Sequence, residues 1–303
     1  MPSSASLTQP PDKLDIPVSL VIELIEEQFP QWAHLPIKTI EPGGWDNKTF
    51  RLGEEMSIRL PSAAEYALQV QKEHKWLPLL APHVSFPIPK PLALGQPSKN
   101  YPLNWSIYQW IEGKSANAIP IDGLDLPRIA LQLAQFLNEL HKLNVTDAPL
   151  PGLHNYYRGA HPLVYDDGTR TAIAQLQGVI DVNVATAVWE KAINSTWSKN
   201  PLWVHGDFSS GNILVNKNRL TAVIDFGCMG IGDPACDLVI AWTFLTGESR
   251  KIFKLHVALD EDTWARARGW ALWKAMITLA ALDDKMCTEA LKQKQLIDEI
   301  INE

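Results

Sequence analysis

Two aspartates and an asparagine lie close together in the second half of the chain. Asp207 precedes Asn212 by five positions, and Asp225 follows after two short apolar runs. Phosphoryl transfer requires a carboxylate near the attacking hydroxyl group and oxygen ligands for the Mg²⁺ that bridges the phosphates. Carboxylate and amide oxygens are such ligands. These three residues therefore supply the groups that a Mg²⁺-assisted phosphoryl transfer needs.

The order of these residues matches two short patterns of kinases. Asp207 and Asn212 fit the catalytic-loop pattern D-x-x-x-x-N, and residues 225–227 read D-F-G. The apolar, β-branched runs at 213–215 and 222–224 predict a short β-hairpin between the two patterns, so the polar residues should lie at strand ends. The alternative without chemistry is that all three residues occupy turns and caps, where Asp and Asn are favoured anyway.

The elements around this centre predict an α+β fold. Strand-like runs with turn residues are followed by a predicted helix and a further strand, and the prolines between 82 and 102 are expected to break regular structure. Amphipathic and Trp-rich helical patterns dominate afterwards. The predicted elements are strands at 37–60, a helix at 63–80, a strand at 105–111, a helix at 125–143, strands at 202–204, 213–215 and 222–224, and helices from 234 onward.

Length and composition limit the classes of protein to consider. At 303 residues the chain exceeds the usual size of a single core, so we expect two lobes that meet at a ligand-binding cleft. A formal net charge of −7 argues against a nucleic-acid partner and slightly favours a cationic substrate. No run of about 18 apolar residues is present, which argues against a membrane span.

The cysteines and the first residues bear on localisation. The three cysteines form no C-x-x-C pair, and we interpret them as reduced thiols of a cytoplasmic protein. Residues 1–15 carry Ser, Pro and Gln and have no apolar core, which predicts a flexible tail rather than a signal peptide.

With these motifs in view, the sequence resembles the aminoglycoside phosphotransferase family, the antibiotic-kinase branch of the protein-kinase-like fold. The family motifs H-G-D-x-x-x-x-N, I-D-F-G and G-D-P-x-x-D-L stand at residues 205–212, 224–227 and 232–238. The resemblance implies a bilobal fold, with an antiparallel sheet in the N-lobe and a mainly helical C-lobe. It also implies that Asp207 is the catalytic base or hydroxyl-orienting group, and that Asp237 bonds the backbone of the catalytic loop.

The resemblance further implies a metal and a nucleotide site. Asn212 and Asp225 would hold Mg²⁺, and ATP or GTP would be the co-substrate. The implied nucleotide contacts are Gly43 and Gly44 in a phosphate-covering loop, Arg59 on the third strand, Glu73 on the helix that orients it, and the backbone of Gln109 and Ile111 in the inter-lobe linker.

Two positions depart from the family pattern. Most of these kinases carry lysine where this chain has Arg59, which keeps the charge but replaces a point ammonium with a planar fork. The alternative for Arg59 is a surface arginine with no task. Cys228 stands directly after D-F-G, where relatives often carry an acid, and is interpreted as a small, half-buried residue.

The predicted function is a Mg²⁺-dependent small-molecule kinase that transfers the γ-phosphoryl group of ATP or GTP to a hydroxyl group. An aminoglycoside-type antibiotic is the first expected acceptor, and a macrolide or a metabolite alcohol is the alternative. A non-catalytic, nucleotide-binding pseudokinase is a second alternative, and a metal-dependent hydrolase is a third. The predicted divisions are 1–15 tail, 16–108 N-lobe, 109–113 inter-lobe linker and 114–303 catalytic C-lobe.

Acidic residues near the C-terminus suggest one further substrate contact. Carboxylates at these positions would suit a polyamine, although runs of charge are more often solvated helix faces. The acids in question are Asp260, Glu261, Asp262, Asp283 and Asp284.

Overall fold

A computed structural model describes residues 12–41 and 43–303 of the chain. Most of the tail predicted at 1–15 therefore lies outside the described residues. Among the described residues, no helix is both long and apolar enough to cross a membrane.

The first part of the chain forms a five-stranded antiparallel sheet with one helix on each face. The strand order is β1-β2-β3-β5-β4, which confirms the predicted antiparallel sheet. The elements of this part are α1 (Val18–Gln28), β1 (Ile37–Thr39), β2 (Asn47–Leu52), β3 (Met56–Pro61), α2 (Ala67–Leu80), β4 (Pro91–Gly95) and β5 (Trp105–Gln109).

Alternation along β3 explains how the sheet serves a core and a site at once. Ile58 and Leu60 are buried in a cluster with residues of α1, β2 and β5. Arg59, between them, points to the opposite face because successive strand residues alternate. The same face carries Tyr108 of β5 and packs against α2. The sheet thus presents a cation toward the second part of the molecule.

The second part is mainly helical, as predicted, and also contains two small sheets. One sheet has the order β6-β8-β9 and the other pairs β10 with β7. The strands are β6 (Lys114–Ser115), β7 (Leu202–Val204), β8 (Ile213–Asn216), β9 (Arg219–Val223) and β10 (Gly230–Gly232), and the helices are α3 (Leu126–Leu140), α4 (Asp166–Gln175), α5 (Val182–Ile193), α6 (Ile240–Thr243), α7 (Gly247–His256), α8 (Glu261–Ala281) and α9 (Thr288–Ile301).

Helix α3 follows the sequence prediction closely. Asp125 accepts a hydrogen bond from the Arg128 amide and so caps its first turn. The apolar stripe packs under the β7–β9 region and is completely buried. The five predicted residues of this stripe are Ile129, Leu133, Phe136, Leu137 and Leu140.

Three details differ from the sequence predictions. Helix α1 was not predicted. Residues 64–66 form a short 3₁₀ turn, and the α-helix begins only at Ala67. Pro91 begins the edge strand β4, although prolines in this stretch were expected to break regular structure, because an edge strand tolerates a residue that donates no hydrogen bond.

A buried ion pair fixes α8 to the centre of the second part. The Arg266 guanidinium contacts the Asp233 carboxylate, and their side chains are only 1% and 4% exposed. Asp233 also caps the 3₁₀ helix Pro234–Val239, since it accepts a hydrogen bond from the Ala235 amide. Removing one partner of such a pair typically costs about 3–5 kcal/mol. The position of α8 is therefore tied to the segment that follows β10.

Candidate active site

The catalytic-loop motif forms a tight turn immediately after β7. Gly206 has a φ of +85°, and a Cβ atom there would lie 2.2 Å from the carbonyl oxygen of Cys228. Only glycine fits, because of both the backbone conformation and the close approach. The turn leaves the side chain of Asp207 exposed at the end of the strand.

A buried carboxylate holds this turn from below. Asp237 is completely buried and accepts hydrogen bonds from the amides of His205 and Gly206, with N···O distances of 2.7 and 2.8 Å. The hydrogen bond that the resemblance implied is therefore present. Burial raises the pKa of Asp237, while His205 and the two amides oppose that rise.

Both nitrogens of the His205 ring are occupied. Nε2 lies 2.9 Å from the carbonyl oxygen of Ile224, and Nδ1 accepts a hydrogen bond from the amide of Asp207 at 3.2 Å. In this pattern Nδ1 is the acceptor and Nε2 is the donor. His205 therefore braces the turn against the end of β9.

The hairpin β8–β9 brings the two sequence motifs together. Lys217 and Asn218 have φ values of 48° and 60°, as a two-residue hairpin turn requires. The Ile224 amide donates to the carbonyl oxygen of Asn212 at 2.9 Å, so the residue before Asp225 pairs with the end of the catalytic loop.

The side chain of Asn212 is oriented by Asp207. Its Nδ2 atom donates to the backbone oxygen and to Oδ2 of Asp207, both at 2.9 Å. Within the described residues, neither Oδ1 of Asn212 nor Oδ1 of Asp207 has a hydrogen-bond partner. One amide oxygen and one carboxylate oxygen are thus available to a ligand.

Asp225 joins the two parts of the molecule. It adopts a left-handed backbone conformation with a φ of 65°, which is strained for a residue with a side chain. Arg59 contacts its Oδ1 atom at 2.6 Å. Burial alone would raise the pKa of Asp225, but Arg59, His205 and the Gly227 amide together outweigh this effect, and the pKa lies below its ordinary value.

Arg59 uses its fork to contact two carboxylates. Nη2 contacts Asp225, and Nη1 lies 3.4 Å from Oε1 of Glu73. The other oxygen of Glu73 accepts a hydrogen bond from the Tyr108 hydroxyl. The Arg59 side chain is only 16% exposed, so the alternative of a surface arginine is wrong. Burial alone would lower the pKa of Arg59. The charges of Asp225 and Glu73 oppose this effect, and the pKa lies above its ordinary value, so the guanidinium stays protonated.

The glycines proposed for the phosphate-covering loop lie between β1 and β2. Gly43 and Gly44 are exposed. Asp46, two residues later, accepts a hydrogen bond from Gln69 of α2 at 2.9 Å. Burial raises the pKa of Asp46, and the nearby charges include those of Asp225, Arg59 and Asp207. Asp46, which follows the glycines, is therefore tied to α2 and interacts electrostatically with the charged site residues.

The segment between β5 and β6 includes the free amide of Ile111. β5 ends at Gln109, whose amide donates to Lys90, and the Trp110 amide donates to Glu55. In the described part of the chain the Ile111 amide donates to no acceptor. Arg51 stacks on the Trp110 ring at 3.7 Å from its centroid. The Ile111 amide is thus available to an adenine or guanine edge.

Other predicted residues lie away from this centre. Asp260 and Glu261 are exposed at the start of α8, where Asp260 caps the helix and pairs with Lys199. Asp283 and Asp284 are exposed beyond its end. Cys228 is half-buried, and burial together with Asp207 raises the pKa of its thiol, so it stays protonated.

Several residues at the site were not identified from the sequence. Tyr108 and Gln69 carry no motif and reach the site only through the packing of β5 and α2. Arg158 and Lys274 lie near Asp207, yet they come from a segment without an assigned task and from the middle of a helix. No local pattern distinguishes them from ordinary surface cations.

The amino-acid sequence of the chain is similar to that of known phosphotransferases. The family model described as phosphotransferase enzyme family matches residues 37–270. An aminoglycoside 3'-phosphotransferase from Escherichia coli is 26% identical over 152 residues, which is 46% of this chain. The matched part spans 52% of that relative, about half its length.

Solved structures resemble the chain over most of its length. The GDP and kanamycin complex of APH(2")-IIia has a TM-score of 0.70 at 22% identity, and the match covers 92% of this chain and 97% of the other. A macrolide 2'-phosphotransferase from Brachybacterium faecium has a TM-score of 0.60 at 18% identity, with 94% and 97% covered. These likenesses confirm the predicted bilobal, kinase-like fold.

The role of Asp237 predicts a stability loss in Asp237→Asn. The amide can accept one of the two backbone N–H groups but presents a donor to the other, which leaves that buried group unsatisfied. We expect the free energy of unfolding to fall by about 1–3 kcal/mol, measured by urea denaturation. The matched control is Asp125→Asn at the exposed cap of α3, where Asn caps equally well and a change within about 0.5 kcal/mol is expected. Equal effects of the two substitutions would contradict this role.

Proposed function

The chain belongs to the phosphotransferase enzyme family, and on that premise we propose that it transfers the γ-phosphoryl group of ATP or GTP to a hydroxyl group of a small molecule. The observation that carries the proposal is the meeting of Asp207, Asn212 and Asp225 at the ends of one hairpin, opposite Arg59 from the other part of the molecule. Residues 16–108, 109–113 and 114–303 are the proposed N-lobe, linker and catalytic C-lobe.

Asp207 is the proposed catalytic residue. Its side chain is exposed at a rigid turn, and one carboxylate oxygen is held by Asn212 while the other has no partner among the described residues. A carboxylate in this position accepts a hydrogen bond from the acceptor hydroxyl, orients its oxygen toward the phosphorus atom and takes its proton.

Asn212 and Asp225 are the proposed Mg²⁺ ligands. The donor set fits a hard cation, because it offers an amide oxygen without a partner and a carboxylate whose pKa is lowered by Arg59. When bound, Mg²⁺ neutralises charge on the nucleotide phosphates. The hydrogen bonds that hold Asn212 and Asp225 fix the two side chains before any ligand arrives.

The remaining proposed nucleotide contacts come from the N-lobe and the linker. Arg59, oriented by Glu73, would contact the phosphates, and Gly43 and Gly44 would let the loop backbone approach them. Gln109 and the free amide of Ile111 would bind the base through the backbone. Such contacts do not by themselves distinguish adenine from guanine. Among related solved structures, one is a complex with GDP and another is a complex with ATP.

The names of the relatives make an aminoglycoside the first acceptor to test and a macrolide the second. The pseudokinase alternative finds no support in the site, because the side chains for acceptor and metal are all present and oriented. The test is a Mg²⁺-dependent nucleotide-consumption assay with ATP and GTP across aminoglycosides, macrolides and metabolite alcohols. Transfer to any alcohol, verified by mass spectrometry of the ester, supports the proposal. Absence of Mg²⁺-nucleotide binding would refute it.

Asp207→Asn should lower kcat by about 100-fold or more, because the amide cannot accept the hydroxyl proton. Nucleotide affinity should stay unchanged, since Asp207 addresses the acceptor. Steady-state kinetics with the best acceptor of the screen, together with calorimetric titration of Mg²⁺–ADP, measures both effects. Near-normal turnover, or a parallel loss of nucleotide binding, would remove Asp207 from this role.

Arg59→Ala and Glu73→Ala should each lower kcat/KM by about 10- to 100-fold, because charge-assisted hydrogen bonds to phosphate are lost or misdirected. The double variant should be little worse than either single variant, since the two side chains act as one unit. Arg59→Lys should recover only part of the activity, because a point ammonium cannot contact Asp225 and Glu73 through a fork. Strictly additive losses would show that the two residues act independently.

A further inference from the structure

A strained turn places Arg158 beside the catalytic loop. Tyr156 and Tyr157 both have left-handed backbone conformations, with φ values of 52° and 55°. Asn155, completely buried, donates from Nδ2 to the carbonyl oxygen of Arg158 at 3.0 Å. The carbonyl oxygen of Gly159 accepts from the Asp233 amide at 2.8 Å. The turn is therefore tied to the segment that follows β10.

The guanidinium of Arg158 lies over an aromatic corner formed by α8. Its Cζ atom is 5.1 Å from the Trp270 ring centroid and 5.4 Å from that of Trp273. Tyr165 stacks on Trp273 with a centroid distance of 4.0 Å, and its hydroxyl donates to the Tyr156 carbonyl oxygen. These contacts hold the planar cation in one orientation.

Arg158 differs from the other arginines in what its guanidinium contacts. Except for Arg158, each arginine that is not exposed donates a side-chain hydrogen bond to a protein acceptor within the described residues. Arg158 donates none there. These donating arginines are Arg51, Arg59, Arg250, Arg266 and Arg268. A half-buried, oriented cation with free donors is a binding group rather than a structural one.

Lys274 adds a second cation next to the first. It follows Trp270 by one helical turn, so the two side chains share a face of α8, and its Nζ atom lies 6.0 Å from the Trp273 centroid. It forms no ion pair with the described residues. Desolvation and the positive charge of Arg158 lower the pKa of Lys274, while the Asp207 carboxylate opposes them. The two cations therefore lie against the same Trp273 ring, with Lys274 exposed.

The turn that carries Arg158 borders the catalytic loop through β10. The carbonyl oxygen of Gly159 accepts a hydrogen bond from Asp233, directly after β10. β10 begins two residues after Cys228, whose carbonyl oxygen lies against Gly206 of the catalytic loop. Arg59, by contrast, comes from the first part of the molecule and contacts Asp225. Arg158 therefore belongs to the second part and borders the loop that carries Asp207, whereas the proposed phosphate contact comes from the first part.

We infer that Arg158 and Lys274, backed by Trp270 and Trp273, form a subsite for an oxyanion of the acceptor, which is therefore an alcohol that carries a carboxylate or a phosphate. This inference rests on the proposed function and narrows its substrate class. The fork of Arg158 binds two oxygens of one group, Lys274 adds a point charge, and the hydroxyl to be phosphorylated lies at Asp207.

The subsite argues against a polycationic acceptor. An aminoglycoside would bring ammonium groups next to two unpaired cations, and like charges placed together oppose binding. The acids that were considered as polyamine contacts lie at the two ends of α8 and are exposed. The overall charge of −7 slightly favours a cationic substrate, whereas the local charges of this subsite favour an anion.

Binding of four probes with one pyranose ring tests the subsite: D-glucuronate, D-glucose 6-phosphate, D-glucose and D-glucosamine. Each is titrated calorimetrically into protein saturated with Mg²⁺–ADP, and kanamycin is titrated in parallel. At least one anionic probe should bind about tenfold or more tightly than glucose, and glucosamine and kanamycin more weakly than the anions. The affinities of D-glucuronate and D-glucose 6-phosphate, compared with each other, show whether the subsite prefers a carboxylate or a phosphate.

Arg158→Met keeps the stem on the tryptophans and should abolish the anion preference. Arg128→Met, at an exposed arginine of α3, should retain it, and Arg158→Lys should retain part of it. A preference that survives Arg158→Met, equal or undetectable binding of all four sugars, or tighter binding of kanamycin would overturn the inference. Mg²⁺–ADP binding is measured first, so its presence in each variant shows that the fold is intact. Its absence in the wild type would refute the proposed function instead.

Discussion

The Asp237 carboxylate, buried beneath the catalytic loop, is the interaction on which the rest of the site depends. It satisfies two backbone amides that the turn at Gly206 leaves without a partner inside the protein. An unsatisfied buried amide costs about 1–3 kcal/mol, so this turn is stable only above such an acceptor. Asp207 is exposed and rigid at the same time because the two residues before it are held in this way.

A second set of contacts makes the site a property of both lobes. Arg59 comes from the sheet, Glu73 from α2 and Asp225 from the far side of the hairpin, and each is placed by a different packing interaction. The single cation pairs with both carboxylates. A ligand with phosphates would compete for Arg59, and a cation would compete with Arg59 for Asp225. Exchange of partners is therefore built into the arrangement.

The sequence predicted those features that depend on residues close together along the chain. Residues 205–225 contain the catalytic-loop motif, the hairpin and the first residue of the D-F-G motif in one continuous stretch, and the amphipathic pattern of α3 reflects a helix with one buried face. The sequence did not reveal contacts that depend on tertiary packing. Arg158 and Lys274 are far apart along the chain and meet only because Arg266 fixes α8 against Asp233. A cation that binds a ligand and a cation on a solvated surface look alike in a sequence. The two kinds of cation differ in the residues that surround them in the folded protein, and only a cation that binds a ligand indicates a substrate.

The account makes Asp225 a ligand of the Mg²⁺ that accompanies the nucleotide. The most direct measurement is a calorimetric titration of ADP, with Mg²⁺ and with EDTA, into the wild type, Asp225→Ala and the control Asp262→Ala on the exposed start of α8. Mg²⁺ should strengthen ADP binding to the wild type and the control, and this gain should vanish in Asp225→Ala because the metal loses an anionic ligand. Equal Mg²⁺ dependence in all three proteins, or none in the wild type, would contradict the account.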